Sequence, residues 1–215
     1  MIKKLIYILI LFIILTNSVQ AITKEGSAEY NIYGYKFKKG DNIAFLKNAN
    51  KNFDLSQTSQ TESDKKFYLQ EAMRYYFLLS KIDINSIAAH IGLARVYDEM
   101  NLDKLAKEHF FLAYDINNKN PELNLRFGDF YYKRQDFRTA LPYYKTAYIN
   151  GYFANPGLNQ NLGVIYEKLA DIETSKKFYI VAQRLNPQNL ELQNKIQLLD
   201  AINYSQSQYY LFLKQ

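Results

Sequence analysis

The chain has 215 residues, 48% of them hydrophobic, which is enough for a buried core and excludes wholesale disorder. Its formal charge of +6 is modest, and beyond the N-terminus its basic residues alternate with Asp and Glu, so no stripe reads as a nucleic-acid footprint. The absence of cysteine excludes disulfides, thiolate zinc sites and a lipid-modified N-terminal cysteine.

Residues 1–21 have the layout of a secretory signal peptide. Lys3 and Lys4 precede an unbroken apolar run at residues 5–15, and Ser18-Val19-Gln20-Ala21 supplies small residues at positions −3 and −1. The apolar core is well short of the roughly 20 residues of a spanning helix. Cleavage after Ala21 is therefore expected, and with it export to the periplasm. Secretion is the alternative, and an uncleaved segment would anchor the chain in the inner membrane. Loss of Lys3 and Lys4 takes the charge from +6 to +4.

Residues 22–64 read as an N-terminal arm. Tyr30, Tyr33, Tyr35 and Phe37 are interrupted by Gly26 and Gly34, so a flexible or loosely packed stretch is expected there. Residues 41–53 can form a helix, with Asp41 as cap and Ile43, Ala44, Leu46 and Phe53 as its apolar positions. Residues 56–64 hold only Ser, Thr, Gln, Glu and Asp and predict a mobile loop.

From residue 65 the apolar spacing is helical, beginning with Phe67, Ala72, Tyr76 and Leu79 on one face. A pattern then returns about every 34 residues. Leu93-Ala94-x-x-Tyr97 leads to Ala106, Phe110 and Ala113. Phe127-Gly128-x-x-Tyr131 leads to Ala140, Tyr144 and Ala147. Leu162-Gly163-x-x-Tyr166 leads to Ser175, Tyr179 and Ala182. Small residues let two helices cross closely, and the aromatic fills the gap beside the crossing. Ala72, Ala106 and Ala140 are spaced by 34 residues, but Gly128 and Gly163 by 35. The extra residue falls between Ala147 and Leu162, where Asn150-Gly151-Tyr152 signals a turn.

The boundaries agree with this spacing. Asn120-Pro121 and Asn155-Pro156 each place a cap before a proline at the first helical position. Asn85-Ser86, Asp136 and Asp171 are further cap candidates, Pro142 interrupts a second helix, and Asn186-Pro187 closes the last one. Residues 189–203, with Leu192, Ile196 and Leu199 on one side, predict a terminal capping helix. Residues 204–215 read as a frayed tail or an extra docked helix.

These units resemble tetratricopeptide repeats, whose pattern is a Leu-Gly-x-x-Tyr first helix and an Ala-x-x-x-Phe-x-x-Ala second helix, closed by proline. Three units match, at residues 87–120, 121–154 and 156–188, with a partial one before them. The family's Trp in the first helix is replaced by His90, Asn124 and Asn159, and the first helix of the earliest unit is not recognisable unless residues 41–53 serve across an enlarged loop. The resemblance implies an all-α fold: a right-handed α-α superhelical solenoid of helix pairs over residues 65–203, ending in the capping helix.

No motif carries chemistry. His90 and His109 are the only histidines and stand apart, without a carboxylate cluster, and the glycines form no phosphate loop. We therefore expect no enzyme, no cofactor and no metal. The resemblance implies instead a concave groove lined by first helices, presenting Ile91, Arg95 and Asp98, then Leu125, Asp129 and Tyr132, then Gln160, Val164 and Glu167. Ile91 and Gln160 stand where a carboxylate-clamping member would place lysines. An apolar strip through Ile91, Leu125 and Val164 suits a hydrophobic peptide or helix instead. The expected function is a protein-interaction scaffold of the bacterial envelope. Its partner would be a protein or peptide, with no nucleic acid, and a membrane only through an uncleaved N-terminal segment. The alternatives are an envelope glycan-binding module using surface tyrosines, or an accessory subunit of an envelope enzyme.

Overall fold

A computed structural model describes residues 30–32, 35–37 and 40–213, with side chains from 40 to 202. The expected signal peptide, residues 1–21, lies outside the described residues. Two short strands, β1 (Tyr30–Ile32) and β2 (Tyr35–Phe37), pair antiparallel with Tyr30 opposite Phe37. Nine helices follow among the described residues: α1 (Asp41–Thr58), α2 (Glu62–Ile82), α3 (Ile87–Glu99), α4 (Asp103–Ile116), α5 (Pro121–Lys133), α6 (Phe137–Ala147), α7 (Pro156–Lys168), α8 (Ile172–Leu185) and α9 (Leu190–Leu213). A π turn (Tyr148–Tyr152) links α6 to the connection before α7. The architecture is that of all-α helical repeats. The chain divides into two compact units, Met1–Val96 and Tyr97–Gln215, with the division inside α3.

The first unit differs from the sequence expectation in three ways. The arm carries the β1–β2 ladder rather than irregular chain alone. Helix α1 is preceded by Gly40 in the left-handed region (φ 111°), and Asp41 is its first residue rather than its cap. The expected polar loop is mostly helix. Ser56 bonds the Phe53 carbonyl (2.6 Å) and Ser59 the Leu55 carbonyl (2.7 Å), so these hydroxyls are satisfied along α1 instead of breaking it. Thr61 then caps α2 by accepting from the Asp64 amide (3.0 Å). Only residues 59–61 connect the two helices.

Helix α1 packs against α2 and so supplies the missing first helix of the earliest pair, across a short loop and not an enlarged one. Ala49 and Phe53 are buried on α1, and Leu69, Ala72, Tyr76 and Leu79 on α2. Across the pair the Tyr76 hydroxyl donates to Asn50 Oδ1 (2.6 Å). Phe67, expected on the inner face, is 57% exposed; Leu69 takes the inward position.

In the second unit the repeated positions do what their sizes predict. Ala106, Phe110, Ala113, Ala140, Tyr144, Ala147, Ser175, Tyr179 and Ala182 are all buried. A Cβ built on Gly128 would stand 2.4 Å from the Tyr144 ring, and one on Gly163 would stand 2.7 Å from Tyr179. No side chain fits there, so α5 lies against α6, and α7 against α8, through glycine. The first-helix tyrosine also has a fixed partner twelve residues on. Tyr131 stacks on Tyr143 (5.8 Å between ring centroids), Tyr166 on Phe178 (5.5 Å) and Tyr97 on His109 (5.4 Å). His109 therefore occupies an aromatic packing position. Burial in this packing pushes the Tyr143 phenol up to about 12.

Each hairpin turn is closed the same way. Asn101, Gln135 and Ala170 are left-handed (φ 57°, 58° and 64°), and the next amide bonds back to the carbonyl of Tyr97, Tyr131 or Tyr166 (2.8–3.0 Å). The predicted caps are present: Asn120, Asp136, Asn155 and Asp171 each accept an amide hydrogen bond three residues on. The one-residue slip in the repeat is the π turn, where Gly151 has φ 134°. Helix α9 buries Leu192 and Leu199, with Ile196, against Tyr179 and Ala182. It fulfils the capping role but runs on to Leu213, so the expected tail is largely a continuation of the same helix.

Candidate partner-binding face

The first helices place the nine expected groove residues in unlike environments. In the first unit, Ile91 is only 5% exposed, and the Arg95 guanidinium lies 4.0 Å above the Phe53 ring. In the second unit, Leu125 is only 6% exposed and packs with Ala140, Tyr144, Leu158 and Leu162. Val164 is half-buried against the cluster of Tyr179, Leu192 and Leu199. The expected apolar strip is thus absorbed by packing: Ile91 and Leu125 are core residues. A 3.6-residue period brings every fourth position back to nearly the same direction, and the sequence alone does not fix where the core boundary cuts that face.

The accessible part of the face in the second unit is polar and tightly tied. Asp129 Oδ1 accepts from the Tyr144 hydroxyl (2.8 Å), which in turn accepts from Asn161 Nδ2 (3.1 Å). Arg126 contacts Asp129 (3.4 Å) and Glu122 (2.8 Å), and Glu122 accepts from the Tyr152 hydroxyl (2.5 Å). One network thus links α5, α6, the π turn and α7. The same device recurs one repeat on, where Glu167 accepts from the Tyr179 hydroxyl (2.9 Å) and from Lys195 Nζ (2.7 Å). Tyr132 lies half-buried beside Phe137 and Tyr144, and Gln160 is half-exposed on α7. Asp98 is held by Arg134 (2.7 Å) and Lys133 (3.0 Å).

Sequence reasoning missed Glu122, Arg126, Tyr144, Tyr152, Asn161 and Lys195 as members of this face. A signal was present: residues 144 and 179 are Tyr where the repeat pattern has Phe, and a buried ring that gains a hydroxyl must aim it at a partner. Burial pushes the Asp129 carboxyl above its ordinary value, although Tyr144 and Arg126 pull it down. Burial, and then the neighbouring Asp129, raise the Tyr144 phenol; burial and the bond to Glu167 raise that of Tyr179. The hydroxyls are therefore fixed donors over the physiological range. Among the described residues no group of three His, Asp or Glu side chains is placed to hold a metal ion, and no helix is long and apolar enough to cross a membrane.

Residues 156–189 match the family model described as tetratricopeptide repeat. Among solved structures, the chain is similar to YrrB, described as a TPR protein with an unusual peptide-binding site. The identity is 18% and the TM-score 0.58, over 76% of this chain and 78% of that one. It is also similar to pilF of Pseudomonas aeruginosa (22%, TM-score 0.59, 80% of this chain and 73% of that one). A third likeness is to MamA from Desulfovibrio magneticus RS-1 (15%, TM-score 0.57, 78% and 92%). At these identities the likeness is one of fold. No curated protein matches the chain in sequence. With its repeated small and aromatic positions and its packed helix pairs, the chain has the fold of tetratricopeptide-repeat structures, and residues 156–189 are a tetratricopeptide repeat.

Proposed function

We propose that the chain is a non-catalytic interaction scaffold of the bacterial envelope, and that it holds a peptide or helix of a partner protein on the first-helix face of residues 97–215. The observation that carries this reading is the network of Glu122, Arg126, Asp129, Tyr144 and Asn161. Its members are fixed before any partner arrives, so little side-chain entropy remains to be lost on binding. Its charged groups, two carboxylates on one guanidinium, are all hydrogen-bonded, which suits the polar backbone of an extended peptide better than a purely apolar helix. YrrB, of the same fold, is described as having a peptide-binding site. The envelope setting rests on the signal-peptide layout of residues 1–21.

The tyrosines that motivate a glycan reading are largely engaged: Tyr131, Tyr143 and Tyr166 in ring stacks, Tyr144 and Tyr179 in the core. The test uses a half-exposed residue of α7 outside the network. The variant Gln160→Arg, immobilised beside the parent chain, should lose the envelope protein that the parent retains while keeping its urea midpoint. Equal retention by both would move the site off this face. Leu125→Glu does not serve, because it places a carboxylate in the core.

A further inference from the structure

The outer face of α6 and its extension presents Arg138, Pro142, Lys145 and Ile149, spaced three or four residues apart, and Phe153 follows beyond the break at Asn150 and Gly151; all five are exposed. Ile149 is 76% and Phe153 60% exposed. The equivalent stripe of α4 carries Glu108 and Asp115, and that of α8 carries Glu173 paired with Lys177 (2.7 Å). By contrast, no Asp or Glu occurs from residue 137 to residue 166. The stripe is therefore a feature that does not repeat.

The turn does not leave these two side chains outside through looseness. Tyr148 packs edge-on against Phe178 (5.7 Å), and the Tyr152 hydroxyl donates to Glu122, which also pairs with Arg126. Asn150 Nδ2 bonds the Thr146 carbonyl (2.8 Å), and Asn159 Nδ2 bonds the Phe153 carbonyl (2.8 Å). Four attachments hold the backbone so that Ile149 and Phe153 point to water.

We propose that this turn is a membrane-surface contact that takes anionic lipid. Lys145 lies one helical turn behind Ile149, about 6 Å along the axis. Apolar groups of a surface-bound protein sink about 5–10 Å into the headgroup boundary, which sets that ammonium at the level of the phosphates. The second helices α4, α6 and α8 occupy equivalent places in successive repeats, so their C-terminal turns fall on one edge. There Ile116 and Leu185 are exposed as well, with Lys119 and Arg184 beside them. Asp115 and Glu191 also stand on that edge, at the outer turns, and leave the middle turn, where the Glu122 carboxylate on Tyr152 is itself paired with Arg126, as its most favourable point. A row of apolar tips backed by cations matches a flat bilayer rather than one shaped protein pocket.

The chain has no Trp, so Phe153→Trp gives a single indole at the tip. This local readout is needed because residues 5–15 can carry the full chain to a vesicle by themselves. With vesicles of equal parts phosphatidylglycerol and phosphatidylcholine, the emission of the Phe153→Trp chain should shift to the blue and be quenched by acyl-brominated lipid. Leu198→Trp, exposed on α9, should show neither change. Adding Lys145→Glu should weaken the titration more than about fivefold, since it removes one charge contact and adds a repelled carboxylate. Emission unchanged at position 153 while the chain sediments with vesicles would overturn the proposal. So would equal quenching in pure phosphatidylcholine with no effect of Lys145→Glu. A blue shift that needs no lipid and grows with protein concentration would overturn it in favour of a protein contact.

Discussion

Asn159 Nδ2 donates to the carbonyl of Phe153, six residues earlier, at 2.8 Å, and Asn124 makes the same bond to Asn118 at 2.8 Å. His90 Nε2 contacts the Ile84 carbonyl, again six residues back, at 3.1 Å. All three stand where the family places Trp. A buried donor here ties each first helix to the turn that enters it, and each Asn also bonds the carbonyl of its cap residue. Asn124→Ala and Asn159→Ala should each lower stability by about 1–3 kcal/mol, the loss of two hydrogen bonds made by a buried side chain. Urea unfolding of the two variants checks this; midpoints unchanged from the parent would show the bonds to be dispensable.

Close approach at Gly128 and Gly163 gives a second prediction. A methyl at either position meets a tyrosine ring well inside van der Waals distance. Gly128→Ala should therefore destabilise by about 1–3 kcal/mol, in spite of alanine's better helix propensity. Thermal unfolding decides between the two effects by sign.

Backbone strain predicts a stabilising change. Ala170 holds φ 64° at a hairpin turn without a side chain that gains anything there. Ala170→Gly should raise stability by about 0.5–1 kcal/mol. Gly151→Ala, at φ 134°, should do the reverse.

Asp129 supplies a pH signature. Folding raises its carboxyl above the ordinary 3.8, chiefly through burial. The protonated form is therefore favoured in the fold, and the stability it contributes is fully present below 3.8 and is lost as pH rises through the native value. Measured against Asp129→Asn, the parent should lose relative stability across that window and run parallel above it. Tyr144→Phe removes a hydrogen bond that lowers this carboxyl, so the Asp129 carbon resonance should titrate at higher pH still in that variant.

The repeats were legible because their signal is redundant. Ala106, Phe110 and Ala113 recur in register, and the extra residue sits in the π turn where the 34-to-35 slip placed it. Helix α1 was only half legible, because Ser56, Thr58 and Ser59 resemble loop composition yet bond carbonyls along the helix. The binding face was the least legible. Leu125 and Val164 follow the periodicity of a groove, but how deeply each is buried depends on its neighbours in the next helices. The hydroxyls of Tyr144 and Tyr179, which organise the face, differ from the family's Phe by one atom each.

A protein partner on the first-helix face of residues 97–215 can be trapped by a photo-crosslinking amino acid placed in living cells at Gln160 or Tyr132, and for comparison at Phe111 on the outer face. One protein adduct of the same mass is expected from positions 160 and 132 and none of that mass from 111. Adducts from position 111 alone, or none from 160 and 132, would contradict that placement.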